Sequence, residues 1–178
     1  YVGAIGNPFA DHPERGVFKT TDGGTTWEKI LFTNTRSGVA DMVIDPSNPN
    51  KIIVAMWEHH RNTYNFTSGG EGSGLYITQN GGKNWIKLSH KTNGIPEGTL
   101  GRMGLAIAKS DPNRIYALVE SSKNALYKSN DGGIKWEMVN DSDPETIKGN
   151  RPFYFWDLAV DPQNENRVYG IFQMISVS

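Results

Sequence analysis

The chain has 178 residues, 37% hydrophobic and 21% charged, with 20 Gly, 9 Pro and 11% aromatic residues, a globular profile of one-domain length rich in turn formers. Eighteen Lys and Arg against nineteen Asp and Glu leave a net charge of −1, so no global field draws the protein to nucleic acid or an anionic membrane. The lack of cysteine excludes a disulfide scaffold and a thiolate metal centre, and there is no apolar run of about 18 residues to form a membrane span.

The chain opens on Tyr1 in what reads as the middle of a strand, and the native start is expected upstream. An alternating strand then runs from Gly16 into the polar turn Thr20-Thr21-Asp22-Gly23-Gly24, and Trp27 opens the next strand. The apolar segment 39–44 meets Asp45-Pro46-Ser47-Asn48-Pro49-Asn50 and continues into a second apolar segment, 51–57. A long loop, Glu58 to Ser73, leads to a second copy of the first pattern, Gly74 through Trp85. Segment 104–108, the turn Asp111-Pro112-Asn113-Arg114 and segment 114–119 follow, then a third copy, Ala125 through Trp136. Segment 156–160, the turn Asp161-Pro162-Gln163-Asn164 and segment 167–172 come last, with 175–178 reading as a third strand ending at its turn.

The order is strand, Asp-Pro turn, strand, variable loop, strand, Gly-Gly turn, strand. It describes a four-stranded antiparallel unit repeating roughly every 50 to 60 residues, the form of one propeller blade. The expected fold is all-β: a β-propeller segment comprising the last three strands of a blade (1–32), full blades at 33–90 and 91–140, and the start of another at 141–178. Because each repeat buries its face on a neighbour, further blades are expected, from the same protein or from another chain.

The Gly-Gly turns have explicit chemistry. Asp22, Asn80 and Asp131 can accept hydrogen bonds from backbone N–H groups one to three positions on. Gly24, Gly82 and Gly133 can take positive φ, and Thr20, Thr78 and Ser129 offer hydroxyls at the strand exit. Trp27, Trp85 and Trp136 are large enough to wedge between blades, with an indole N–H for a carbonyl. One carboxylate per turn is too few for calcium, and no metal or cofactor is expected.

The pattern Ser/Thr-x-Asp-x-Gly-x-x-Trp resembles the Asp-box, or BNR, repeat of sialidases, xyloglucanase-type glycoside hydrolases and the sortilin ectodomain. The chain is most similar to bacterial exported BNR-repeat glycosyl hydrolases with a sortilin-like propeller, the likeness extending to segments 56–61, 65–70 and 96–102. The resemblance implies a secreted, periplasmic or cell-surface setting. No Arg-Ile-Pro signature stands near the chain start, which argues against a sialidase.

Alternate loops of antiparallel strands go to opposite ends, so the Asp-Pro and Gly-Gly turns share one end and the variable loops the other. Binding residues concentrate on such loops. As a binding module for a glycan or peptide, the protein would use Trp57, His59, His60, Arg61, Tyr64, Arg102, Arg151 and Tyr154. Arg36, Arg102 and Arg151 recur before successive inner strands and could converge on an anionic group, or pair with neighbouring acids. Adjacent histidines on a strand face opposite ways, so His59 and His60 cannot both serve one site. As a glycoside hydrolase it would need two carboxylates about 5 to 10 Å apart, with Glu58, Glu71, Glu97 and Asp157 as candidates and part of the site in blades outside this chain. A third role is assembly, the propeller docking onto another subunit.

Overall fold

Short runs of β-branched and aromatic residues, closed by Asp-Pro or Gly-Gly turns, form strands throughout the computed structural model of the chain, which describes residues 1–140, 152–171 and 175–177. The first sheet holds β1 (Val2–Ala4), β2 (Gly16–Lys19) and β3 (Glu28–Leu31) side by side in chain order. The second holds β4 (Ser37–Asp45), β5 (Asn48–Arg61), β6 (Phe66–Ser68), β7 (Gly74–Thr78) and β8 (Ile86–Lys87), ordered β4-β5-β7-β8 with β6 paired to the far end of β5. A single helical turn, α1 (His90–Asn93), precedes the third sheet, β9 (Met103–Ile107), β10 (Ile115–Val119), β11 (Ala125–Ser129) and β12 (Glu137–Asn140). Another, α2 (Pro152–Phe155), precedes β13 (Asp157–Asp161), β14 (Asn164–Ile171) and β15 (Ile175–Val177). Every pairing is antiparallel.

The sheets stack face to face, and the middle strands show why the sequence reads as it does. On β5, Ile52, Val54 and Met56 pack with Val17 and Leu31 of the first sheet, while Ile53 and Ala55 pack with Ile115, Ala117 and Trp136 of the third. On β10, Ile115, Ala117 and Val119 face the second sheet, and Tyr116 and Leu118 face Trp156, Leu158 and Val168 beside the fourth. Successive side chains point to opposite faces. A strand buried on both faces therefore carries an unbroken apolar run instead of an alternating one.

The Gly-Gly turns close identically. The Thr20 hydroxyl accepts from Gly24 N–H at 2.9 Å and donates to Asp22 Oδ1 at 2.7 Å. Thr78 and Ser129 repeat both contacts with Gly82 and Asn80, and with Gly133 and Asp131. The acidic or amide side chain reaches further than expected: Asp22 accepts from Thr26 N–H, Asn80 from Asn84 N–H and Asp131 from Ile134 and Lys135 N–H. Both glycines of each pair, not the second alone, lie at positive φ, between 70° and 96°. A Cβ on Gly82 would overlap Ile30 of the first sheet, and one on Gly133 would overlap Ile53 of the second. The second glycine thus serves the turn and the seam between sheets together.

The three tryptophans differ. Trp136 is buried between the second and third sheets and Trp85 packs between the first and second, but Trp27 is 45% exposed. The expected wedge fails at Trp27 because that face of the first sheet has no sheet against it. The indoles of Trp27 and Trp136 donate to the carbonyls of Gly24 and Gly133 at 3.1 and 2.9 Å, whereas buried Trp85 Nε1 has no partner.

Asp-Pro and Gly-Gly turns do share an end: Gly81 N–H donates to Asn50 O and Gly132 N–H to Asn113 O, both at 2.9 Å. Asp45 caps its own turn by accepting from Ser47 N–H at 2.8 Å, and it pairs with Lys51 at 3.3 Å. The opposite end departs from the sequence in one respect. Residues 58–61 are not loop but the end of β5, which turns and returns as β6.

Candidate functional site

The β5–β6 extension is a two-stranded flap that continues the pleat of β5, so Trp57, His59 and Arg61 project to one side. With Ile5, Pro8 and Phe9 from the β1–β2 loop, Phe66 from β6, and Phe153 and Tyr154 from α2, they line a cleft of about 220 Å³. Trp57 and His59 stack at 4.2 Å, Phe66 meets Phe153 at 5.0 Å and Tyr154 at 6.1 Å, and Phe153 meets Tyr154 at 4.7 Å. The Arg61 guanidinium lies 5.4 Å from the ring centres of both Phe66 and Tyr154.

Polar bonds fix these rings. Trp57 Nε1 donates to Ser68 Oγ at 2.9 Å, Ser68 donates to Glu120 Oε2 at 2.6 Å, and the same oxygen accepts from Arg102 N–H at 2.7 Å. The indole is thereby tied through β6 to the third sheet. Beneath His59 lies Arg15, with no exposed surface. Its guanidinium donates to the carbonyls of Arg36 at 2.7 Å, Ala10 at 3.2 Å and Asn7, which folds the β1–β2 loop around it.

His59 Nδ1 lies 3.4 Å from Arg15 Nη1 and 3.3 Å from Trp57 O. The two contacts make opposite demands, since the carbonyl needs an N–H and the guanidinium can only donate. Burial holds His59 below the usual histidine range, and Arg15 adds to that shift against the Trp57 carbonyl. A neutral ring meets one of the two demands, Arg15 or the Trp57 carbonyl, according to which nitrogen carries the proton.

Other candidates fall elsewhere. Tyr64 sits at the flap tip, 97% exposed and away from the cleft. His60 faces the other side of β5, its Nδ1 buried without a partner. Glu58 also points away and holds the following turn together, accepting from Asn34 Nδ2 at 3.0 Å and Gly72 N–H at 2.9 Å. Glu71 and Glu97, both exposed, line a second cleft of about 480 Å³ with Lys87 and His90. Lys87 Nζ donates to the Glu71 carbonyl, and burial pulls its ammonium down against the pull of the Glu71 and Glu58 carboxylates. Asp157 is exposed on β13 and within electrostatic reach of Asp41. Asp41 accepts from Met42 and Leu105 N–H, both at 2.7 Å, and burial pushes its carboxyl up despite those bonds.

The arginines do not converge among the described residues. Arg36 pairs with Asp11 at 2.9 Å, Arg102 Nη1 donates to Pro152 O at 3.2 Å, and Arg151 lies outside the described residues. Phe9, Arg15, Glu120 and Phe153 were missed by sequence reasoning. The signal for Phe9 was present: the β1–β2 loop is the same second-to-third-strand connection as 58–73, and strand parity sends it to the same end. Among the described residues no cluster of three or more His, Asp or Glu could hold a metal ion, and no helix is long and apolar enough to cross a membrane.

No protein-family model and no curated protein sequence matches the chain. Solved structures do. The chain superposes on an ancestral GH74 enzyme with a TM-score of 0.60 at 20% identity, over 87% of this chain and 19% of that one. On the Niastella koreensis GH74 enzyme the TM-score is 0.64 at 19% identity, over 93% of this chain and 25% of that one. The likeness is one of fold: an all-β segment of a β-propeller built from antiparallel blades. This chain spans a minor part of either enzyme's length.

Proposed function

We propose that the chain is a glycan-binding segment of an exported Asp-box propeller, with the ligand seated in the aromatic cleft. The observation that carries this is the convergence of Trp57, Phe66, Phe153 and Tyr154 from separate elements around one cleft, beside the Arg61 fork and the His59 ring. Aromatic faces receive the C–H faces of sugars, and a few fixed donors orient the hydroxyls. The likeness to two GH74 enzymes supports a carbohydrate ligand over a peptide. Further blades, covering the open face that bears Trp27, and a secreted, periplasmic or cell-surface location belong to the same proposal.

Glycan-array screening of the complete protein, followed by calorimetry, tests it. Tyr154→Ala, at a half-exposed ring, lowers affinity ten-fold or more, about 1.4 kcal/mol. Tyr64→Ala on the flap tip leaves affinity unchanged. If no glycan binds, or Tyr154→Ala binds as well as wild type, the proposal fails.

Hydrolysis is the second reading, favoured by one observation: Glu71 and Glu97 line a common cleft. Two carboxylates facing one glycosidic bond are the machinery required. Steady turnover of a polysaccharide by the complete protein, abolished by Glu71→Gln or Glu97→Gln, establishes it; unchanged rates in both variants remove this segment from the chemistry. Glu58, engaged by Asn34 and Gly72, is the weakest of the three candidates.

A further inference from the structure

Resting on the glycan-binding role above, we propose that the aromatic cleft selects an acidic sugar, a uronate whose carboxylate is held by Arg61. The guanidinium lies over two rings, Phe66 and Tyr154, at 5.4 Å, and the Arg61 backbone N–H donates to Pro8 O at 2.8 Å. Its stem and its plane are therefore both held, the preorganisation that suits a planar anion.

Among the described residues that line the cleft none is acidic. Among the described residues no carboxylate pairs with Arg61 and no side-chain hydrogen bond engages it. The Arg61 guanidinium nitrogens are not closed off from water, so a ligand reaches the fork without breaking a protein contact. The fork is held in place with no acceptor among the described residues.

A second charge lies beneath the cleft floor. Among the described residues Arg15, fully buried, meets only neutral acceptors: the carbonyls of Arg36, Asn7 and Ala10, and the His59 ring. The carboxylate that acts on it, Asp11, is engaged outside by Arg36 at 2.9 Å. The cleft thus offers apolar ring faces, the Arg61 guanidinium and a positive field. A neutral glycan satisfies the rings and leaves Arg61 unmatched, whereas a uronate satisfies both. Sulfate shares the charge, but the two coplanar oxygens of a carboxylate fit the fork side by side.

Calorimetry on the complete protein with galacturonate, glucuronate and mannuronate oligomers, each beside its methyl ester, removes the charge without changing the sugar. At least one acid binds ten-fold or more tighter than its ester, and added salt erodes the difference. Arg61→Gln abolishes the preference for acid over ester, whatever it does to the affinity they share, and Arg61→Lys, which keeps charge and stem but loses the fork, retains an intermediate preference. Acid and ester binding alike, a preference that survives Arg61→Gln, or a sulfated neutral-sugar oligomer binding tighter than any uronate would each overturn the assignment. Binding of neutral glycans alone overturns it but leaves the glycan-binding role standing. An acidic peptide bound with no glycan, or no ligand at all, sinks both.

Discussion

The two ends of the sheet stack are built on opposite principles. At the Gly-Gly end each turn closes on itself: Ser129 and Asp131 serve donors no more than four residues further on, and Thr20 and Asp22 do the same. At the loop end the contacts that build the cleft are long-range. Trp57 reaches Ser68, Ser68 reaches Glu120 across 52 positions, and Phe66 meets Phe153 from another sheet's entry. One end spends its turn hydroxyls and carboxylates on its own backbone. The other keeps rings and donors in a cleft that exists only once several sheets have stacked.

The sharpest way to break this contrast is at the glycines. Gly133 lies at φ 96° with Ile53 where a Cβ would stand, while Gly23, at φ 72°, has open space there. Gly133→Ala therefore combines backbone strain with overpacking of the seam between two sheets, about 3 kcal/mol or more. Gly23→Ala carries strain alone, about 1 kcal/mol. Urea unfolding of both variants checks it. Equal losses would show that the second glycine serves only the turn, and that blade stacking does not depend on it.

That same locality decides what could be read in advance. The Gly-Gly turn is legible because its partners lie within one heptapeptide, so Thr78, Asn80 and Gly82 announce it unaided. The apolar run 51–57 announced a strand, but the continuation through Glu58-His59-His60-Arg61 did not, since polar residues there alternate between cleft and turn instead of between core and solvent. Arg15 was invisible for a similar reason. A buried arginine held by three carbonyls has no signature beyond its charge, which ordinarily predicts exposure. Trp27 failed in the other direction, because burial depends on a neighbouring sheet and not on the turn that positions the ring. Glu71 and Glu97 could be placed at the correct end by parity, but their common cleft needed α1 and the 94–100 segment.

Acid should separate the two ends. His59 titrates below its ordinary value of 6.5 because of burial, so just below pH 6.5 the folded protein holds fewer protons than the unfolded chain. Stability contributed there is complete above about pH 6.5 and falls as pH drops toward the folded value. The hydrogen-bonded turn carboxylates of Asp45 and Asp131 lie below their ordinary 3.8, so their contribution is complete above about pH 4 and is lost as pH falls through their folded values. Melting temperature measured from pH 7.5 to 3 should show two phases. His59→Gln should flatten the upper slope and leave the lower one, and Asp131→Asn the reverse. A single phase, or one moved by both variants, would mean the ends do not respond separately.

The smallest effect tests whether the middle turn is an imperfect copy or an equivalent one. Asn80 accepts from Asn84 N–H at 3.0 Å and from the Thr78 hydroxyl at 3.0 Å, the same tasks that carboxylates perform in the other two turns. Charge and a second accepting oxygen distinguish them: Asp22 Oδ2 takes the Thr26 hydroxyl at 2.6 Å and Asp131 Oδ2 the Lys135 N–H at 3.1 Å. Lys19 Nζ donates to Gly81 O at 3.3 Å, so a carboxylate at position 80 gains a cation nearby and stronger backbone bonds, while the geometry stays put. Asn80→Asp should therefore stabilise by a few tenths of a kcal/mol at pH 7, the scale of exposed charge pairs. The gain should shrink in 0.5 M salt; it is complete above about pH 4 and lost as pH falls through the lowered value of the new carboxyl. A loss at pH 7 would instead show that the amide's N–H₂ has a partner in this turn that an acid cannot replace, and the two outer turns would no longer be the right standard for the middle one.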